Sequence, residues 1–217
     1  MKPIVTSRFL LALAAAVGAV FLLTPLAPAT AQQAQPPVAK PQQKKLPEAP
    51  DKLPRVERGK SLDFLFGALK AAPDAASAKH VEARIWATWT QVNSDTTSLL
   101  MSRAKAAMGA KKMDVALKLL DAVVKLRPEY VEGWNQRATL FYLQNDYDNS
   151  LQDIRQVLAR EPRHFGALAG LGLIMQEIGD EKRALDAFRK ALDVNPHLER
   201  IPELVKTLSE KVEGRDI

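Results

Sequence analysis

Three histidines, His80, His164 and His197, are the side chains of this 217-residue chain best suited to holding a metal or moving a proton, and no cysteine accompanies them. The missing thiol removes a disulfide framework, a thiolate metal site and a cysteine nucleophile together. His164 and His197 follow Pro162 and Pro196, and if each segment is one layer of a helical stack they lie roughly 10 Å apart. That is too far for two ligands of one ion. Neither HExxH nor GxSxG occurs, and no carboxylates cluster around a base. Gly166, Gly170 and Gly172 resemble a phosphate loop only in count, because they fall inside a helical pattern that no strand precedes. Trp86 and Trp89, three apart on a helix, read as core and not as a ligand cage. The expectation is a non-catalytic protein with no cofactor and no metal site.

The elements that carry these residues follow a repeat. From Thr97 to Pro196 one pattern occurs three times with a step of 34 residues, each copy closed by a proline: Pro128, Pro162 and Pro196. Large apolar positions align as Leu100, Trp134 and Leu168, and as Leu120, Ile154 and Phe188. Small positions align as Ala104, Ala138 and Gly172, and as Ala116, Ser150 and Ala184. This step, with two small positions and a closing proline, resembles the tetratricopeptide repeat. The resemblance covers about half of the chain and implies an all-α fold, an α-solenoid of antiparallel helix pairs, with units at 97–130, 131–164 and 165–198.

The periodicity alone gives two antiparallel helices per unit. Short side chains sit where the helices cross, and a bulky residue there would force the hairpin apart. Asn145 and Gly179 occupy matching turn positions and tolerate positive φ, whereas Lys111 stands there in the first copy, so its turn is expected to differ. A proline disfavours helix in the residue before it, so Arg127, Glu161 and Asn195 should each end a helix. One pair cannot bury its apolar face alone; the copies must stack into a right-handed curved array with a concave face.

Outside the repeats, Lys2 and Arg8, the apolar run Phe9 to Leu23 and Ala29-Thr30-Ala31 predict a signal peptide over 1–31, cleaved between Ala31 and Gln32. A retained membrane anchor is the alternative, but 15 apolar residues fall short of the roughly 20 that span a bilayer. The expected location is periplasmic. Residues 32–60 hold six prolines and almost no large apolar residue, and are predicted to be a disordered tether. They carry seven basic residues against three acidic, and with Lys2 and Arg8 set aside the rest of the chain has 22 of each sign. The net charge of +6 therefore describes a basic tail and says nothing for a nucleic-acid groove in the neutral folded part, and no nucleic-acid partner is expected. The tail is a solubilising spacer, or else a weak, salt-sensitive contact with anionic lipid headgroups or wall polymers.

Residues 61–96 read as a degenerate helical pair with Ser61 and Asp63 as N-cap candidates, capping the N-terminal end of the stack. After Pro196, a helix over Glu199 to Val212 with the stripe Ile201, Leu204, Val205, Leu208 and Val212 caps the other end, within a segment 199–217.

The family resemblance places the binding surface on the concave face, built from the first helix of each unit. Carried over, that gives Met101, Lys105 and Met108, then Asn135, Thr139 and Tyr142, then Ala169, Leu173 and Gln176. The expected ligand is a peptide or helix of another protein. The family's carboxylate clamp would need cations or asparagine at Met101, Lys105, Gln136, Gly166 and Gly170. Only Lys105 fits, so the clamp is rejected. The function expected is an adaptor of the cell envelope. The alternatives are a self-associating structural protein, as a homodimer, and an accessory subunit of an envelope or cell-wall enzyme complex.

Overall fold

The computed structural model describes residues 55–214, so the predicted signal peptide and most of the tether lie outside the described residues. Among these, the chain forms helices and no strand: α1 (Arg55–Lys70), α2 (Ala75–Thr90), α3 (Asp95–Gly109), α4 (Met113–Leu126), α5 (Val131–Leu143), α6 (Tyr147–Arg160), α7 (Phe165–Glu177), α8 (Glu181–Val194) and α9 (Ile201–Val212). The tether boundary needs correction. Residues 55–60 belong to α1, which begins directly after Pro54, the last proline of the run; with no further proline, nothing breaks the helix. Ser61 and Asp63 are therefore helix interior and not N-caps.

Three hairpins, α3–α4, α5–α6 and α7–α8, pack in series, each second helix against the next first helix. Arg127, Glu161 and Asn195 are the C-caps before the three prolines, all in extended or near-extended backbone. Ala104, Ala116, Ala138, Ser150 and Ala184 are buried at the helix crossings. The Ser150 hydroxyl adds an interhelical bond by donating to the Ala138 carbonyl at 2.8 Å. At Gly172 even a methyl group is too large, since it would stand 2.5 Å from Phe188 Cδ1 and nearer still to Cε1.

The turn at Lys111 does not differ from the others, contrary to expectation. Lys111, Asn145 and Gly179 have φ of 56°, 59° and 81°. In each hairpin the following N–H returns to a carbonyl five residues back: Lys112 to Ala107, Asp146 to Phe141 and Asp180 to Met175. The stacked hairpins impose one geometry, and Lys111 adopts it against its own preference. The first hairpin also lacks the side-chain cap that Asp146 and Asp180 give theirs.

Within the second unit, Arg137 on α5 forms a fork with Asp153 of α6, at 2.7 and 2.8 Å, and it reaches across to the first unit at Asp121 of α4, at 2.8 Å. Asp153 is almost fully buried, and the guanidinium also lies 5.0 Å from the Trp134 ring centre. At the far end α9 packs on α8, burying Ile201 and Leu208. It starts at Ile201, not Glu199, because Arg200 takes a left-handed φ of 68° and Pro202 fixes the first turn.

The N-terminal pair does not cap the end of the stack. Helix α2 packs across α5, and the core of the pair, Leu62, Leu65, Phe66, Leu69, Ile85 and Trp89, closes on Phe165 at the start of α7, with Val194 and Leu198 beside it. The physical reason is the pair's aromatic load: Trp86 and Trp89 need a deep apolar seat, and His164, Phe165 and Gly166 provide one.

Candidate functional site

The first helices α3, α5 and α7 present one face, and the structure divides it in two. Toward their C-terminal ends the face is open. Lys105, Thr139 and Gln176 are exposed there, and Met108, Tyr142 and Leu173 are half-buried between them. Met101 and Met108 pack on the core of the first hairpin, and Ala169 and Leu173 on that of the third. Tyr142 lies 6.0 Å from Tyr147, ring centre to ring centre. Partial burial, with Glu177 nearby, raises its phenol pKa above the usual tyrosine value. The surface thus offers apolar contact and neutral hydrogen-bonding groups around one cation.

Toward the N-terminal ends of α5 and α7 the face is covered. Asn135, expected as a groove residue, is 9 % exposed, and its Nδ2 donates to both oxygens of Glu132 at 3.2 Å. Gln136 Nε2 donates to the same carboxylate at 2.7 Å. Glu132 is fully buried in the first turn of α5, where the free N–H groups of the helix end favour a negative charge. His164 faces it. The Ala167 N–H donates to His164 Nδ1 at 3.1 Å, so the imidazole proton is on Nε2. Nε2 lies 3.5 Å from Glu132 Oε2, an electrostatic contact too poor in geometry to count as a hydrogen bond.

Helix α2 forms the roof. Trp89 stacks on the His164 ring, with centres 4.1 Å apart and planes 16° apart, and Trp86 meets His164 and Phe165 edge-on. Trp86 also lies over Gly166, where an added Cβ would stand 2.9 Å from its ring. Polar links ring this apolar contact: Tyr130 Oη donates to the Thr90 carbonyl at 3.0 Å, Asn195 Nδ2 to Glu82 at 3.1 Å and Arg163 to Asp63 at 2.7 Å. Burial pushes the Tyr130 phenol up to about 12, with the nearby Glu132 charge adding to the effect. Sequence reasoning placed Trp86 and Trp89 in a core but missed Glu132, Tyr130 and the burial of His164. Glycine at 166, aligned with glutamate at 132, was the available signal that something lies close above the third unit.

Over 153 residues the chain is 39% identical to a TPR repeat-containing protein of Rhizobium etli, in an alignment covering 70% of this chain and 75% of that protein. The chain belongs to the tetratricopeptide repeat family. The family model for the tetratricopeptide repeat matches residues 101–155 and 136–198, the span of the three hairpins. Among solved structures, MamA superposes with a TM-score of 0.52 at 16% identity, covering 76% of this chain and 89% of that one. The first TPR domain of Spaghetti (RPAP3), bound to the HSP90 peptide SRMEEVD, does so at 0.53 and 14% identity, covering 57% of this chain and 98% of that one. At such identities the likeness is one of fold.

Tetratricopeptide repeats are generally modules for protein–protein interaction. In this member the positions of the family's clamp are altered in substance as well as in charge: Gln136 is held by Glu132 and Gly166 is covered by Trp86. No group of three or more potential metal ligands occurs among the described residues.

Proposed function

We propose that this protein is a non-catalytic adaptor of the cell envelope, exported by its N-terminal segment, that holds a peptide or helix of a partner protein against the open half of its concave face. The observation that carries this reading is the accessible row Lys105, Thr139, Tyr142 and Gln176 across three successive hairpins. It pairs hydrogen-bonding groups with the apolar surface of Met108 and Leu173, the mixture that suits a peptide better than a small metabolite. Family membership supports the reading, as does a structural neighbour that binds a peptide. The basic head, short apolar run and Ala29-Thr30-Ala31 support export.

The test is capture from an envelope extract by the chain 32–217, beside a variant carrying Tyr142→Arg and Gln176→Ala, with mass spectrometry of what is retained. A protein kept by the first and lost by the second, at unchanged helical circular dichroism, supports the reading. Equal retention by both refutes the placement on this face. A mass that rises with concentration in light scattering would favour self-association instead.

A further inference from the structure

The roof over Glu132, His164 and Gly166 is an aromatic contact, with Trp86 and Trp89 of α2 against His164 and Phe165. Among the described residues, two buried side-chain polar atoms lack a hydrogen-bond partner, Trp89 Nε1 and His164 Nε2, and both lie in this one contact. A buried unsatisfied N–H forfeits its hydration without return. Elsewhere the array is knit by bonds that close, such as the Arg137 fork and the Ser150 hydroxyl. The pair α1–α2 is therefore seated on the array by apolar stacking with three polar links at its margin, while at its centre Trp89 Nε1 has no hydrogen bond and His164 Nε2 has only the long approach to Glu132. It joins α3 through the short segment 91–94 alone.

We propose that α1–α2 is a resident, displaceable ligand of the repeat array. It opens from α5 and α7 as a unit, and while seated it blocks the half of the concave face that carries His164, Phe165 and Gly166. The surface it vacates accepts an amphipathic helix with two aromatic side chains at i and i+3, the pattern that Trp86 and Trp89 supply in the closed form. Glu82 completes the template, one turn before Trp86; it accepts from the Trp86 indole at 3.2 Å and from Asn195 at 3.1 Å. This inference deepens the adaptor reading and rests on it for its biological meaning. The open half would engage a partner first, and a helix of that partner would then replace α2.

The probe is a labelled synthetic peptide of residues 74–92, the α2 segment itself, added to the full chain. In the wild type its seat is filled in cis, and apparent affinity falls by the fraction of molecules that are open. A Trp86→Ala/Trp89→Ala variant weakens the resident helix and leaves the array's own residues intact, so it should bind the peptide at least ~10-fold more tightly than wild type. Adding Gly166→Leu to that variant, which fills the space under the Trp86 ring, should return binding to the weak level. Equal affinity of wild type and double-Trp variant overturns the proposal, as does absence of binding to both. Hydrogen exchange on the unmutated chain decides independently, including where a variant fails to fold. Amides of 55–90 exchanging together, ahead of those of α5 to α8, support an opening unit; equal protection of both refutes it. Neither readout involves Tyr142 or Gln176, so this inference can fail while the adaptor reading stands, and the reverse.

Discussion

Gly170 and Gly172 lie two residues apart in α7, and the structure assigns them opposite responses to the same change. Glycine inside a helix costs roughly 0.5–1 kcal/mol relative to alanine, so either Gly→Ala substitution begins with that gain. At Gly170 the new methyl would meet only Ile154 Cδ1, at 3.8 Å, an ordinary van der Waals contact, and the gain survives. At Gly172 it would stand 2.5 Å from Phe188 Cδ1 and 2.8 Å from Cζ, against a favourable carbon–carbon separation of about 3.5–4.0 Å. The ring must retreat by about 1 Å. It has no room, being fully buried in a cluster with Met175, Leu185, Ile201 and Leu208. Overpacking of this kind costs about 1–3 kcal/mol. The prediction is a stabilisation of about 0.5–1 kcal/mol for Gly170→Ala and a net loss of about 0.5–2 kcal/mol for Gly172→Ala. For a domain of this size, 1 kcal/mol moves Tm by roughly 2–4 °C, so urea titration and thermal melts both resolve the difference. In a Phe188→Leu background the penalty at 172 should vanish, a coupling of about 1–2 kcal/mol in a double-mutant cycle. Shifts of the same sign at both glycines, or a penalty at 172 unchanged by Phe188→Leu, would refute this account of the hairpin crossing.

Three further outcomes follow from the packing. Arg137→Met leaves the buried Asp153 carboxylate without its fork and should cost about 3–5 kcal/mol in urea unfolding; the half-exposed Asp121 adds little, and Arg137→Met/Asp153→Leu should recover most of the loss. Lys111→Gly relieves a left-handed residue and should stabilise by roughly 0.5–1 kcal/mol after the added freedom of the unfolded chain is counted, seen as a higher Tm. For Tyr130, the folded pKa of about 12 lies above the ordinary value near 10. Its contribution is therefore complete below about pH 10 and is lost as pH rises toward 12, because a phenolate cannot donate to the Thr90 carbonyl. In that window hydrogen exchange at α1–α2 should accelerate in the wild type more than in Tyr130→Phe.

Much of this was legible because a 34-residue period fixes nearest neighbours. Pro128, Pro162 and Pro196 marked the helix ends, and the small residues marked the crossings; each of these signals acts within one hairpin or between adjacent ones. The turn at Lys111 was misread because local preference favoured a different conformation, while stacking on both sides fixed the backbone. The seat of α2 was not legible for a different reason. Trp86 and Trp89 announce a need for burial but not an address, and no periodicity links them to His164 or Phe165. Of the expected groove residues, Lys105, Thr139 and Gln176 are exposed, whereas Asn135 turned inward because Glu132, three residues earlier on the same helix, needed its donors.

The bonds from Asp63 to Arg163 and from Glu82 to Asn195 span 100 and 113 residues of chain. A simple repeat array has contacts only between neighbours and can fold from any point outward. Here α1 and α2 have part of their seat on the third hairpin, which follows them in the chain. At a synthesis rate of roughly 5–20 residues per second, α2 must wait about 4–16 s for Arg163 and Phe165 to follow it. Throughout that interval Trp86 and Trp89 lack the His164 and Phe165 side of their seat and have only their own hairpin against them, Phe66 included, so the order of synthesis gives any helper protein its opportunity before the ring of contacts closes. Once closed, the N-terminal pair and the third hairpin are no longer independent, and melting of that hairpin strips the pair of its seat on Phe165 and Asn195 while its contact with α5 remains.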